Sequence, residues 1–105
     1  MTSNSIRGSS DRSVLILTSL AGSPKHGYAL IKDIEEFAGV TLGAGTLYGA
    51  LTKLEKAGLV AALPEQDRRR PYEITPAGRE QLHARLSEAA RIAAVGLRRI
   101  AEVPS

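Results

Sequence analysis

The sequence predicts a mainly α-helical fold with one small β-hairpin, on three observations. Apolar residues recur at helical spacing through three successive segments before residue 58. The period then changes to alternation across two short runs joined by a polar loop. From Thr75 onward helical spacing returns and holds almost to the end of the chain.

Residues 1–10 are polar, Ser-rich and without period, and read as a flexible arm. A first helix is expected over Asp11 to Leu20, with Val14, Leu15, Leu17 and Leu20 as its apolar set. Gly22-Ser23-Pro24 stops it. A second helix is expected from Gly27 to Ala38, where Tyr28, Ile31, Ile34 and Phe37 recur at helical spacing with Leu30 beside them. Lys32, Asp33, Glu35 and Glu36 fill its wet side, and Gly39 stands where a C-terminal glycine belongs.

A short turn of small residues, Val40 to Gly45, leads into a third helix over Ala44 to Ala57. Leu47, Leu51 and Leu54 lie on one line of it, Ala50 and Ala57 widen that line, and Gly58 ends the helix. Leu59 to Leu63 then reads as a short strand and Arg70 to Thr75 as another, Tyr72 and Ile74 alternating with Glu73 and Thr75. Pro64 to Arg69 is the polar loop between them. Such a hairpin is marginal alone and must pack on the helices.

Thr75 is a good N-cap and Pro76 suits a first helical position, so a last helix is expected from there to about Ala101. It would span on the order of 26 residues, or ~40 Å. Leu82, Leu86, Ala89, Ala93, Gly96 and Ile100 alternate spacings of four and three along it, the rhythm of paired helices. Ala90, Ala94, Leu97 and Ala101 make an adjacent row. A stripe this wide exceeds what a three-helix core can cover, so a second copy is the expected cover. The predicted dimer residues are Leu82, Leu86, Ala89, Ala93, Leu97 and Ile100. The small residues here could equally leave space for a ligand.

Three helices, a hairpin and a terminal helix, in that order, are the winged helix-turn-helix plan. Turning 100° per residue from the leucine line puts Gly45, Gly49, Thr52, Lys53 and Lys56 on the free face of the third helix, with Thr46 and Tyr48 on its flanks. That face suits double-stranded DNA. The glycines let the backbone approach a groove, and helix N-terminal amides bind phosphate. Thr46 and Tyr48 carry hydroxyls for phosphate contacts, Thr52 and Lys53 can reach base edges, and Lys56 lies nearer the backbone. Arg68, Arg69 and Arg70 make the hairpin basic, as a wing on phosphates or in a minor groove would be. Against this stands the plainer reading of each as a solvated surface, with Glu65 and Asp67 countering the arginines. His26 is either a cap or phosphate contact at the start of the second helix or a local hydrogen bond that fixes the turn, the second being preferred, and His83 is read as surface.

Composition bounds the rest. The chain of 105 residues is 43 % hydrophobic and 24 % charged, with net charge +3, and fits one modest core. Without cysteine there are neither disulfides nor thiolate metal sites, and two histidines are too few for a histidine-built zinc site. The expectation is therefore no metal and no cofactor. The longest apolar run, Val14 to Leu17, falls far short of the ~20 residues of a membrane span. The first residues lack the pattern of a signal peptide, so a cytoplasmic protein without membrane contact is expected. No nucleophile–base pair or phosphate loop stands out, and an enzyme is not expected.

The ordered motifs resemble one family. His26-Gly27-Tyr28, then Gly45-Thr46-Leu47-Tyr48 with Ala50-Leu51 and Leu54 to Val60, then Arg69, Arg70, Tyr72, Ile74-Thr75 and Gly78 look like the segments of PadR-like regulators. The likeness covers about residues 13–80. It implies a dimeric repressor with third helix and wing on DNA and the terminal helix between subunits, often answering small toxic or aromatic compounds as effectors. Tyr28, in the first motif, joins the candidate DNA-binding residues. The single terminal helix is similar to the smaller of the family's two forms. The chain departs from the pattern at Gly43-Ala44, where Ser-Pro is usual, and at Gly49, where Pro is usual. It also lacks the tryptophans with which some relatives hold flat drugs.

The expected organisation is an arm over 1–10, a DNA-binding unit over 11–75 and a dimerisation helix over 76–105. A dimer would read an inverted repeat with half-sites about 34 Å apart or a multiple of that. Two alternatives stay open at this point, a winged-helix module that binds protein instead of DNA, and another helix-turn-helix regulator family.

Overall fold

The computed structural model describes residues 9–102. Helix α1 spans Ser9–Gly22, α2 Gly27–Ala38 and α3 Ala44–Lys56. Strands β1, Val60–Ala62, and β2, Tyr72–Ile74, pair antiparallel, and α4 runs Pro76–Ala101. The winged helix-turn-helix order is thus present, with the long terminal helix after it. The molecule measures 61 × 26 × 25 Å.

The first helix starts two residues before the expected Asp11 and ends at Gly22, two past Leu20. Ser9 and Ser10 therefore belong to α1 and not to an arm. The rest of the expected arm lies outside the described residues.

The strands are shorter than expected at both ends. Leu59 is still part of the α3 terminus. Gly58 adopts φ +79°, Leu59 N–H donates to Leu54 O at 2.9 Å and Gly58 N–H to Glu55 O at 3.0 Å. This closing pattern takes up two of the last helical carbonyls and requires the left-handed residue that glycine supplies. At the other end, Thr75 caps α4, accepting from Gly78 N–H at 3.0 Å through Oγ1. Pro71 has no N–H to continue the ladder, although its carbonyl accepts from Leu63 N–H at 2.8 Å.

The junctions lock together. Thr75 Oγ1 donates to Gly58 O at 2.7 Å and Thr75 N–H to Leu59 O at 3.0 Å. A Cβ at Gly78 would overlap the Leu59 carbonyl oxygen and lie 2.8 Å from Ile74 Cγ1. Glycine there lets α4 cross directly over the start of β1. Lys25 adds a third short rung, exchanging backbone hydrogen bonds with Tyr72 at 3.1 and 2.9 Å.

The core is built from Ile16, Leu17 and Leu20 of α1, Leu30 and Ile34 of α2, and Leu47, Leu51 and Leu54 of α3. Val60, Ile74 and Leu82 close it from the hairpin and α4. One buried hydroxyl, Ser19, donates to Asp33 Oδ2 at 2.6 Å, and Lys25 Nζ donates to Ser19 O and sits 3.9 Å from that same carboxylate oxygen. This small polar cluster fixes the angle between α1 and α2.

Candidate nucleic-acid interface

Helix α3 is held by one face. Leu47, Leu51 and Leu54 are buried, while Gly45, Thr46, Tyr48, Gly49, Thr52, Lys53 and Lys56 are exposed. The 100° construction from the leucine line therefore places the free face correctly. A Cβ at Gly45 or Gly49 would meet none of the described residues within 4 Å. Neither has the positive φ that would demand glycine. Glycine within a helix costs roughly 1 kcal/mol against alanine, and no contact among the described residues accounts for it.

The N-terminus of α3 is open. Its N-cap, Gly43, makes no side-chain cap bond, so the first amides of the helix point outward without an acceptor from the capping residue. At the far end Lys53 and Lys56 stand in the last turn, where cations suit the helix dipole. Thr52 is partly committed. Its Oγ1 donates to Tyr48 O at 2.9 Å, leaving the oxygen lone pairs and the methyl group for a partner.

The wing is tighter than a loop. Gln66 and Arg69 exchange backbone hydrogen bonds at 2.7 and 2.8 Å around a two-residue turn. Its corner residues Asp67 and Arg68 have φ +50° and +66°. Positive φ at both corners is the twist that a two-residue hairpin needs. Between Leu63, paired with Pro71, and Gln66, paired with Arg69, two residues oppose Arg70 alone, which puts a bulge on the β1 side of the hairpin. Arg68, Arg69 and Arg70 are all exposed. Arg70 is braced against its own hairpin, Nη1 donating to Leu63 O at 3.0 Å.

Tertiary contacts bring the start of α2 to both elements. His26 is the N-cap of α2, its Nδ1 accepting from Ala29 N–H at a long 3.4 Å. Its Nε2 lies 3.1 Å from Arg69 Nη1. A neutral ring that accepts at Nδ1 carries its proton on Nε2 and cannot also accept from the arginine. The two contacts need opposite tautomers, so His26 does not lock Arg69 in place. His26 therefore caps α2, the less favoured of the two roles the sequence offered, and its contact with the wing is an alternative to the capping bond. Beyond it, Tyr48 lies on Gly27, and Tyr28 is 64 % exposed with Lys32 Nζ 5.9 Å from its ring centroid. Behind them, burial pushes the Tyr72 phenol above its ordinary value, with Glu55 and Tyr48 adding and Arg70 opposing.

Of the residues expected between subunits, Leu82 is buried in this chain's own core. It completes the hairpin side of that core instead of opening the outer stripe. Leu86, Ala89, Ala93, Leu97 and Ile100 are exposed, and Leu97 and Ile100 are among the most exposed large apolar residues. Ile92, which the heptad count passed over, is exposed too and lines a cleft of about 1060 Å³ with Val14, Leu15, Leu86 and Ala89. Among the described residues no helix is long and apolar enough to cross a membrane, and no group of three or more His, Asp or Glu could hold a metal.

Three packed helices, a basic wing and a free third-helix face define a winged helix-turn-helix regulator. The chain belongs to the transcriptional regulator PadR-like family, whose sequence model matches residues 16–84. A 37.1 kDa uncharacterized protein in transposon TN4556 of Streptomyces fradiae is 48 % identical over 82 residues. That match covers 78 % of this chain and 24 % of the relative, so the chain spans about a quarter of its length. Among solved structures, a PadR family transcription regulator from hypervirulent Clostridium difficile R20291 is 25 % identical with TM-score 0.75, covering 84 % of this chain and 96 % of that one. A transcriptional regulator from Clostridium thermocellum is 28 % identical with TM-score 0.75, covering 93 % and 96 %.

Proposed function

We propose that this chain binds double-stranded DNA sequence-specifically and acts as a dimeric transcriptional repressor. The observation that carries the reading is the outer face of α3. It is exposed and bears two glycines that no contact among the described residues explains. A helix face shaped this way suits close approach to a groove, and family membership points the same way. In this reading α3 enters a major groove, and the wing arginines lie along the flanking backbone or in a minor groove. Tyr28 and Tyr48 position the backbone between them.

The second half of the reading is the dimer. Ile92, Leu97 and Ile100 are 63, 68 and 71 % exposed on one helix. Large apolar residues clustered on one surface mark an interaction site. A partner subunit covering them would relate two α3 helices by a two-fold axis and match an inverted repeat. Residues 11–75 then serve as the DNA-binding unit and 76–105 as the dimerisation segment. A small-molecule effector would act by changing the spacing of the two units.

Fluorescence anisotropy against DNA from upstream of the chain's own gene, beside scrambled DNA and across a salt series, tests this. Tight, salt-sensitive binding to the upstream DNA with weak binding to the scramble is expected. Arg69→Ala should weaken both and lower the salt slope. Absence of binding at low salt would overturn the DNA reading and favour a protein-binding module.

A further inference from the structure

We propose that Arg12 of α1 and Lys53 of α3 flank a seat for one DNA backbone phosphate, a site that extends the interface from the recognition helix to the first helix. The inference rests on the reading that the outer face of α3 meets DNA. A cleft of about 230 Å³ lies between the two helices, lined by Arg12, Ser13, Gly45, Thr46, Gly49 and Lys53, with Ala50 at its base. The two cations face the same space. No carboxylate among the described side chains lies within 4.0 Å of either. Among the described residues neither cation makes a side-chain hydrogen bond of the kind that ties Arg70, Arg79 or Lys25 to a carbonyl.

The rest of the lining fits an anion of modest size. Gly45 and Gly49 leave the floor bare, since a Cβ at either would stand in open space. Ser13 and Thr46 offer hydroxyls, and the first amides of α3 lack a side-chain acceptor at Gly43. A guanidinium presents a planar fork that matches two phosphate oxygens, while an ammonium acts as a point charge. Arg12 would take the fork and Lys53 the remaining charge. Lys53 is then a backbone ligand, and not the base reader that its position on α3 suggested. The register of α3 in the groove is set from both sides, by the wing on one flank and by α1 on the other.

The test measures salt-dependent affinity of the full chain for a 24-base-pair duplex footprinted from its own upstream DNA, and for a mixed-sequence duplex of equal length. Arg12→Gln should weaken binding to both by the same factor, roughly tenfold for a lost charge-assisted contact. It should lower the salt slope by about 0.9, the share of one phosphate. Lys53→Gln should behave alike on both duplexes. Replacing the phosphates of one half-site singly by neutral methylphosphonates should reveal one position where Arg12→Gln loses less affinity than wild type does. Circular dichroism of each variant checks that it folds as wild type does, and Gly49→Ala supplies a variant that helix propensity stabilises. Its melting temperature should rise while its affinity falls. Unchanged affinity and slope in Arg12→Gln, beside a lowered slope in Arg69→Gln, would overturn the seat and leave the DNA reading intact. A wild-type chain that binds neither duplex would overturn both. Sequence-selective loss in Lys53→Gln would return Lys53 to the bases and overturn the pairing.

Discussion

The ring of Tyr48 lies against the backbone of Gly27, so closely that a Cβ at position 27 would overlap the tyrosine hydroxyl and stand 2.7 Å from Cζ. The contact joins the middle of α3 to the first residue of α2 across the turn of the helix-turn-helix. It fixes where an exposed tyrosine stands on the candidate DNA face. Gly27 is buried, although its place at a helix start would tolerate many residues.

Gly27→Ala should therefore destabilise the fold by about 1 kcal/mol, the cost of overpacking offset partly by ring movement. The same substitution in a Tyr48→Ala background should be neutral or stabilising, because alanine is the better helix residue. Urea unfolding of the four proteins of that cycle measures the coupling. Equal costs in both backgrounds would mean that the contact contributes nothing.

The wing tip stores strain. Asp67 and Arg68 both adopt left-handed backbone, and a long side chain in that region costs on the order of 1 kcal/mol. Arg68→Gly should stabilise the chain by up to about 1 kcal/mol. If the arginine also meets phosphate, the variant loses DNA affinity as its unfolding midpoint in urea rises. A gain in stability with unchanged affinity would make the turn structural only.

Leu86 is 43 % exposed at the mouth of the cleft between α1 and α4. Leu86→Glu should yield monomers, seen by light scattering, because the charge would be desolvated in the subunit seam. The fold itself should change by less than about 0.5 kcal/mol, as exposed substitutions do. A dimeric mass in that variant would move the interface elsewhere.

Alkaline pH should weaken the fold through Tyr72. Its phenol is raised above 10.0 in the native state, first by burial and then by Glu55 and Tyr48, against Arg70. A raised native value means that the folded state holds the proton more tightly. The stabilisation is complete below the unfolded value near 10.0 and is lost as pH climbs through the folded one. Between about pH 9 and about pH 11, the wild-type urea midpoint should fall faster than that of Tyr72→Phe. Parallel declines would remove Tyr72 as the cause.

Much of the architecture is legible in the residues themselves. The bounds of α2 and α4, the leucine line of α3 and its free face follow from period, caps and glycines, all of which act within one or two turns of chain. Thr75-Pro76 announces α4 and Gly58 closes α3 for the same local reason. Family motifs carried the third helix and wing together because their order survives where single residues do not stand out.

What period cannot show is which parts of the chain meet. Leu82 fits the heptad stripe as well as Leu86 does, and only the packing of α4 over the hairpin buries the one and exposes the other. Arg70 is written beside Arg69, yet one bonds Leu63 across the hairpin and the other reaches His26. Arg12 sits in a first helix with no sequence mark of function, and crossing α1 over α3 puts it beside Lys53 and the glycines. The sequence by itself determined the elements and their apolar faces, because backbone hydrogen bonding and side-chain period are local. The tertiary structure alone decided these neighbours, because they depend on the angles at which buried leucines let the helices cross.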